Sequence, residues 1–166
     1  MHPWEEKRGA IHFSLMSNGL SGPKWIKHLQ AKNIIISENA HEILYSPYFE
    51  STHNIPTDII VLTGSQICGE KYLSTENIFT AASNRGLKKP KLESACLIRE
   101  AFTNNEIRNM GFSSIVVMHE PIEDEEEDPM FLLLRCERNN AYLNACCNSN
   151  WKILGNRTGF AFQIFE

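Results

Sequence analysis

PKLESACLIREAFTNNEIRNMGFSSIVVMHEPI, running from Pro90 to Ile122, reads as a helix, a short capped helix and a buried strand. At about 100° per residue, Leu92, Ala95, Cys96, Ile98 and Phe102 fall on one broad face of a helix beginning near Pro90, while Glu93 and Glu100 point elsewhere. Pro90 suits the first helical position, where an N–H would have no partner. Thr103 and Glu106 have capping-box spacing, which predicts a short helix ending at Gly111. Phe112 to His119 is short and rich in Val and Ile, so it is expected to form a central strand.

Arg99 falls inside the apolar arc of the first helix. A buried unpaired charge is costly, so its guanidinium must snorkel out or find a carboxylate. The expected partner is Glu120, at the end of the central strand, or a backbone carbonyl near His119. Glu93, on the first turn of the same helix, is a poorer angular match. Arg99 and Glu93 are the candidate binding residues.

Outward from this stretch, residues Gly9 to Met16 alternate apolar and polar as in an edge or half-buried strand. The first eight residues are expected to be flexible. Ser21 or Gly22 caps a helix starting at Pro23, with Trp25, Ile26 and Leu29 inward and Asn33 at its end. Ile34 to Ile36 reads as an apolar connector. Ser37 caps the next helix, Ser46 to Pro56 reads as a loop, and Asp58 to Thr63 as a second buried strand. Ser74-Thr75 opens a helix that stops at Gly86, and a basic link leads back to Pro90.

After the central strand come six consecutive acids, Glu123 to Asp128, ended by Pro129. Met130 to Arg138 and Ala141 to Cys147 flank Asn139-Asn140, a pair suited to a two-residue hairpin turn, which would set Cys136 opposite Leu143. Thr158 to Phe165 completes the sheet. The predicted class is α+β, with N-terminal and central helices packed on a mainly antiparallel C-terminal sheet, in a single domain spanning 1–166.

The chain has 166 residues, enough to bury a core without staples. Its net charge of −4 argues against coating nucleic acid. No apolar stretch is long enough for a bilayer, and the N-terminus lacks a signal-peptide core, so a cytoplasmic location and no membrane association are expected. Five cysteines without a CxxC pair predict reduced thiols. Cys146 and Cys147, adjacent on a strand, would diverge.

His119 and Glu120 at the strand end are the candidate catalytic pair, since a His beside a carboxylate acts as a base or metal ligand. The second histidine of HExxH is missing, which favours a hydrogen-bonding role at the strand end. The acidic run lacks a glycine to wrap an ion and reads as a solvated connection, so neither metal nor cofactor is expected. Arg85, Lys88, Lys89 and Lys91 form a basic link that would meet phosphate at the following helix N-terminus. No aromatic residue interleaves with them, and a solvated loop is the simpler reading.

The segments GPKWIKHLQAKNIIISENAHEILYSPYF, LESACLIREAF, MGFSSIVVMHEPI and the closing GFAF resemble an uncharacterised family of short bacterial proteins, from about Gly9 onward. The resemblance implies a single bacterial cytosolic domain and no particular activity. Members of that family tend to carry a Ser-Asp-Gly-Asp type turn, where this chain has Asp124 to Asp128 without glycine. The leading expectation for function is a binding or interaction module with an unknown protein or small-molecule partner. The alternative is a small hydrolase or transferase using Arg99, His119 and Glu120. A further alternative is a toxin-related, immunity or effector protein.

Overall fold

The computed structural model describes residues 3–147 and 151–164. In chain order the elements are β1 (Glu5–Lys7), β2 (Ala10–Asn18), α1 (Gly22–Ala31), β3 (Ile34–Ile36), α2 (Glu38–Tyr45), β4 (His53–Thr63), α3 (Gly64–Cys68) and α4 (Thr75–Asn84). They continue with β5 (Leu87–Lys88), α5 (Glu93–Ala101), α6 (Asn104–Asn109), β6 (Ser114–Val117), β7 (Ile122–Glu123), β8 (Pro129–Cys136) and β9 (Ala141–Cys146). A 3-10 helix at Trp151–Leu154 and β10 (Thr158–Ile164) complete the described chain.

The strands lie in the order β1-β2-β4-β10-β6-β8-β9-β3, with β5 added to β10 and β7 to β8. Pairing is antiparallel except for β10 with β6 and β3 with β9. This is the α+β architecture expected, with β6 near the middle of the sheet. Its four residues are all buried, because helices cover both faces. One face carries Phe13, Ile59, Val61, Ile115, Leu134 and Leu143 under α1, α2, α5 and α6. The other carries Val116, Phe131, Leu133, Phe160 and Phe162 against Trp151 and residues of α3 and α4.

Local signals explain most helices. Ser21, Ser37 and Ser74 each accept from a backbone N–H in the first turn of α1, α2 and α4. Both halves of the Thr103–Glu106 capping box are formed at α6. A second box, Thr63 with Gln66, starts α3, a helix the sequence reading passed over although its T-x-x-Q spacing was visible. Gly111 takes φ 104°, as a residue closing a helix should.

Several expectations are corrected. Helix α5 begins at Glu93 rather than Pro90, and Glu93 is buried rather than facing outward. Ile34–Ile36 is strand β3, not a connector, because β9 supplies a parallel partner more than a hundred residues away. Strand β4 begins at His53, inside the stretch read as a loop. Glu5–Lys7, within the segment expected to be flexible, pairs with β2 across Arg8 and Gly9, whose φ values of 52° and 82° suit a two-residue hairpin turn.

The β8–β9 register is set by Cys136 opposite Ala141, not Leu143, and Glu137 N–H donates to Asn140 O, so the turn closes on Arg138-Asn139, one residue earlier than Asn139-Asn140. The offset is two residues, so Leu132, Leu134 and Leu143 keep the core face assigned to them. Phe165, where the last strand was expected to end, lies outside the described residues.

The acidic run makes a tight loop between β7 and β8. Asp124 Oδ1 accepts from Glu126 N at 2.8 Å and Asp128 N at 2.9 Å, and Glu127 takes the left-handed φ of 64°. Glu125, Glu126 and Glu127 are exposed. Changing those three to Gln should therefore move the unfolding free energy by less than about 1 kcal/mol. Chemical denaturation checks this, and a larger loss would show that their charges hold the loop.

Candidate functional site

Strand β6 stops pairing with β10 after Val117, while β10 runs on to pair Gln163 and Ile164 with Lys88 and Leu87 of β5. Two chain segments diverge at this point. One, Lys89 to Leu92, leads into α5; the other, His119 to Glu123, leads from β6 into β7. Between them opens a cleft of about 500 Å³, with Tyr48 and Glu50 on a further wall. It lies beyond the carboxyl end of a strand with a parallel neighbour, where diverging connections leave room for ligands.

Pro90, Leu92, Pro121 and Ile122 supply apolar surface, and the rim is charged with both signs. Lys89 Nζ meets Glu120 Oε2 at 2.7 Å, and Lys91 Nζ lies 3.4 Å from Glu50 Oε2. Lys89 also stands 4.4 Å from the centre of the Phe79 ring. Both ion pairs are exposed, so each is held weakly and can exchange partners.

His119 is only 1% exposed. Its Nδ1–H donates to Glu120 O at 2.7 Å, and Nε2 accepts from the buried Leu132 N–H at 2.9 Å. The second bond fixes the tautomer, since an accepting Nε2 leaves the proton on Nδ1. Burial pushes the imidazole down to about 4, although the Glu120 carbonyl and carboxylate pull the other way. The ring is neutral near pH 7 with both nitrogens occupied. It continues the β6–β8 pairing where β6 has ended and offers no free base.

Arg99 is placed elsewhere. It is buried, as its angle required, but its Nη2 donates to Phe102 O at 3.0 Å and Asn104 Oδ1 at 3.1 Å. Its expected bond to Glu120 or to a carbonyl near His119 is not made. The reason is local: Arg99 sits in the last turn of α5, where carbonyls left without helical partners attract a cation. Glu93 is also buried and does not meet Arg99. Its carboxylate accepts from Thr52 N and Oγ1 at 2.9 to 3.1 Å, tying the loop after α2 to the start of α5.

The structure thus brings His119 and Glu120 to one cleft and leaves Arg99 and Glu93 outside its lining. The residues that sequence reasoning missed there are Tyr48 and Glu50. Lys89 and Lys91 were visible as a basic link, but their acidic partners come from distant segments. A second hollow of about 570 Å³ is lined by Ser65, Lys71, Trp151 and Asn156, and a third of about 790 Å³ by Trp4, His12 and Asp58. Asp124, Asp128 and Cys147 come within 4.8 Å of one another, all exposed. Among the described residues, no helix is long and apolar enough to cross a membrane.

No family model, curated protein or solved structure matches the chain, so comparison supplies neither activity nor ligand.

Proposed function

We propose that this protein is a binding module whose ligand enters the cleft between Lys89–Leu92 and His119–Glu123. The observation that carries the reading is the contrast within the cleft. Its Lys–Glu pairs are exposed and exchangeable, whereas His119, the imidazole in its lining, has both nitrogens engaged. Such a site recognises charge, and its imidazole is not free to act as a general base. Opposite charges around apolar Pro90, Pro121 and Ile122 suit a small molecule or peptide segment with a cation, an anion and an apolar body. A hydrolase or transferase using Arg99, His119 and Glu120 finds less support, because Arg99 does not line this cleft. The five free cysteines fit a reducing compartment and support a cytoplasmic location.

The test is a titration of isotope-labelled protein with free amino acids and dipeptides, followed by backbone amide shifts. Saturable changes should gather at Lys91, Leu92, Glu120 and Ile122. The Lys89→Ala and Glu120→Ala variants should each weaken binding by about tenfold, the loss of roughly 1.4 kcal/mol of charge-assisted bonding. A folded protein whose cleft amides stay still for every such probe would remove the proposal.

A further inference from the structure

The corner where α5 hands over to α6 rests on the β8–β9 turn. Asn104 Nδ2 donates to Glu137 O at 3.2 Å and Asn140 O at 2.9 Å, and Arg108 Nη2 donates to Glu137 O at 2.6 Å. Inside this corner Arg99 is 2% exposed. Its Nη2 is bonded to oxygen, while among the described residues Nε and Nη1 find no oxygen acceptor, and the remaining neighbour of the guanidinium is the Cys136 sulfur, a weak acceptor. The Cys136 thiol, adjoining Glu137, bonds weakly to that guanidinium, and the Arg108 charge acts on it as well. Cys136 is only partly buried, whereas Arg99 is sealed.

A buried cation whose donors meet only a weak acceptor is unfavourable, and an anion placed beside it would relieve the cost. The sulfur is the neighbouring atom whose chemistry can supply one. We propose that Cys136 is a site of oxidation by a small peroxide, and that its oxidised anion is held by the Arg99 N–H groups that lack an oxygen acceptor. In the first step sulfur bonds to one peroxide oxygen as the O–O bond breaks. The departing oxygen takes the thiol proton and leaves as water, giving the sulfenic acid. A second peroxide adds another oxygen in the same way and releases a second water. The resulting sulfinic acid gives its proton to solvent. At each step sulfur is oxidised and peroxide is reduced.

The sulfinate brings oxygen acceptors and a negative charge to the guanidinium, a charge-assisted arrangement stronger than bonds to neutral groups. Burial raises the resting thiol despite Arg99 and Arg108, so the thiol reacts slowly and the oxidised product is what the corner favours. The other thiols lack this setting. Cys96 is fully buried between Glu93 and Glu100, and burial pushes Cys146 up to about 12. Cys147 is open to solvent but faces Asp124 and Asp128, which oppose an anion. Cys68 has Lys71 and Arg85 near it, yet Arg85 is engaged with Gln66 O and no buried donor is left over.

The experiment treats the full chain with hydrogen peroxide, maps added oxygen by peptide mass analysis and compares melting temperatures before and after. Cys136 should gain two oxygens ahead of Cys68, Cys96 and Cys146. The oxidised protein should melt about 3 °C higher than the reduced one, while Cys136→Ser treated in parallel shows no rise. Arg99→Met, where it folds, should lose the rise; where it does not, the comparison with Cys136→Ser decides. A folded protein that takes no oxygen at Cys136, or one that is oxidised there and melts at or below its reduced temperature, overturns the proposal.

Discussion

Replacing His119 with alanine should lower the unfolding free energy by about 4 kcal/mol. The change removes a ring that is 1% exposed and packs at 5.5 Å against Phe131, leaving a void in the layer that also holds Trp151. It also strands the N–H of Leu132, a fully buried residue. A buried donor without an acceptor costs roughly 1 to 3 kcal/mol on its own. Urea denaturation measures the loss; a value under about 1 kcal/mol would mean that the ring does not bridge β6 to β8.

The same ring makes stability depend on pH in a defined direction. In the unfolded chain a histidine titrates near about 6.5, whereas His119 in the fold is pushed down to about 4. Its contribution is therefore fully present above pH about 6.5 and is lost as pH falls toward 4, because over that interval the unfolded chain binds the proton and the fold does not. The loss amounts to about 3 kcal/mol. His119→Phe, which cannot take up the proton, should show a shallower decline over this interval. Parallel curves for the two proteins would show that the imidazole is accessible in the fold.

What could be read from sequence follows the range of the interaction involved. Caps are local, so Ser21, Ser37, Ser74 and Thr103 announced their helices correctly. Strands buried on both faces announced themselves by continuous apolar runs, as β6 did. Strand β3 did not, because three isoleucines become a strand only when β9 lies beside them. Burial of Arg99 was legible from helical angle, but its partner was not. A long side chain near a helix end chooses between distant carboxylates and nearby terminal carbonyls, and here Phe102 and Asn104 were closer than any acid. The cleft was half legible: Lys89, Lys91, His119 and Glu120 stood out as charged punctuation, while Tyr48 and Glu50 belong to a loop positioned by α2 and by Thr52 bonding to Glu93.

That wall of the cleft depends on a close approach invisible in the sequence, where Gly22 passed for a capping residue. In the fold, a Cβ added at Gly22 would stand 1.7 Å from Leu44 O and 2.7 Å from the Leu44 carbonyl carbon. Both are backbone atoms on the last turn of α2, so no rotamer change relieves the overlap, and α1 and α2 must move apart. Trp25, Leu29, Ile43 and Leu44 all pack in the same core cluster and would lose close packing together. Gly22→Ala should therefore cost about 3 kcal/mol or more, far beyond what its better helix propensity returns. Because α2 leads through Ser46 into Tyr48 and Glu50, the displacement should also reach the cleft. In a variant that still folds, amide shifts should extend from α2 to Thr52 and Lys91 rather than stop beside residue 22. A Gly22→Ala protein that melts with its parent would show that the two helices do not meet at this point.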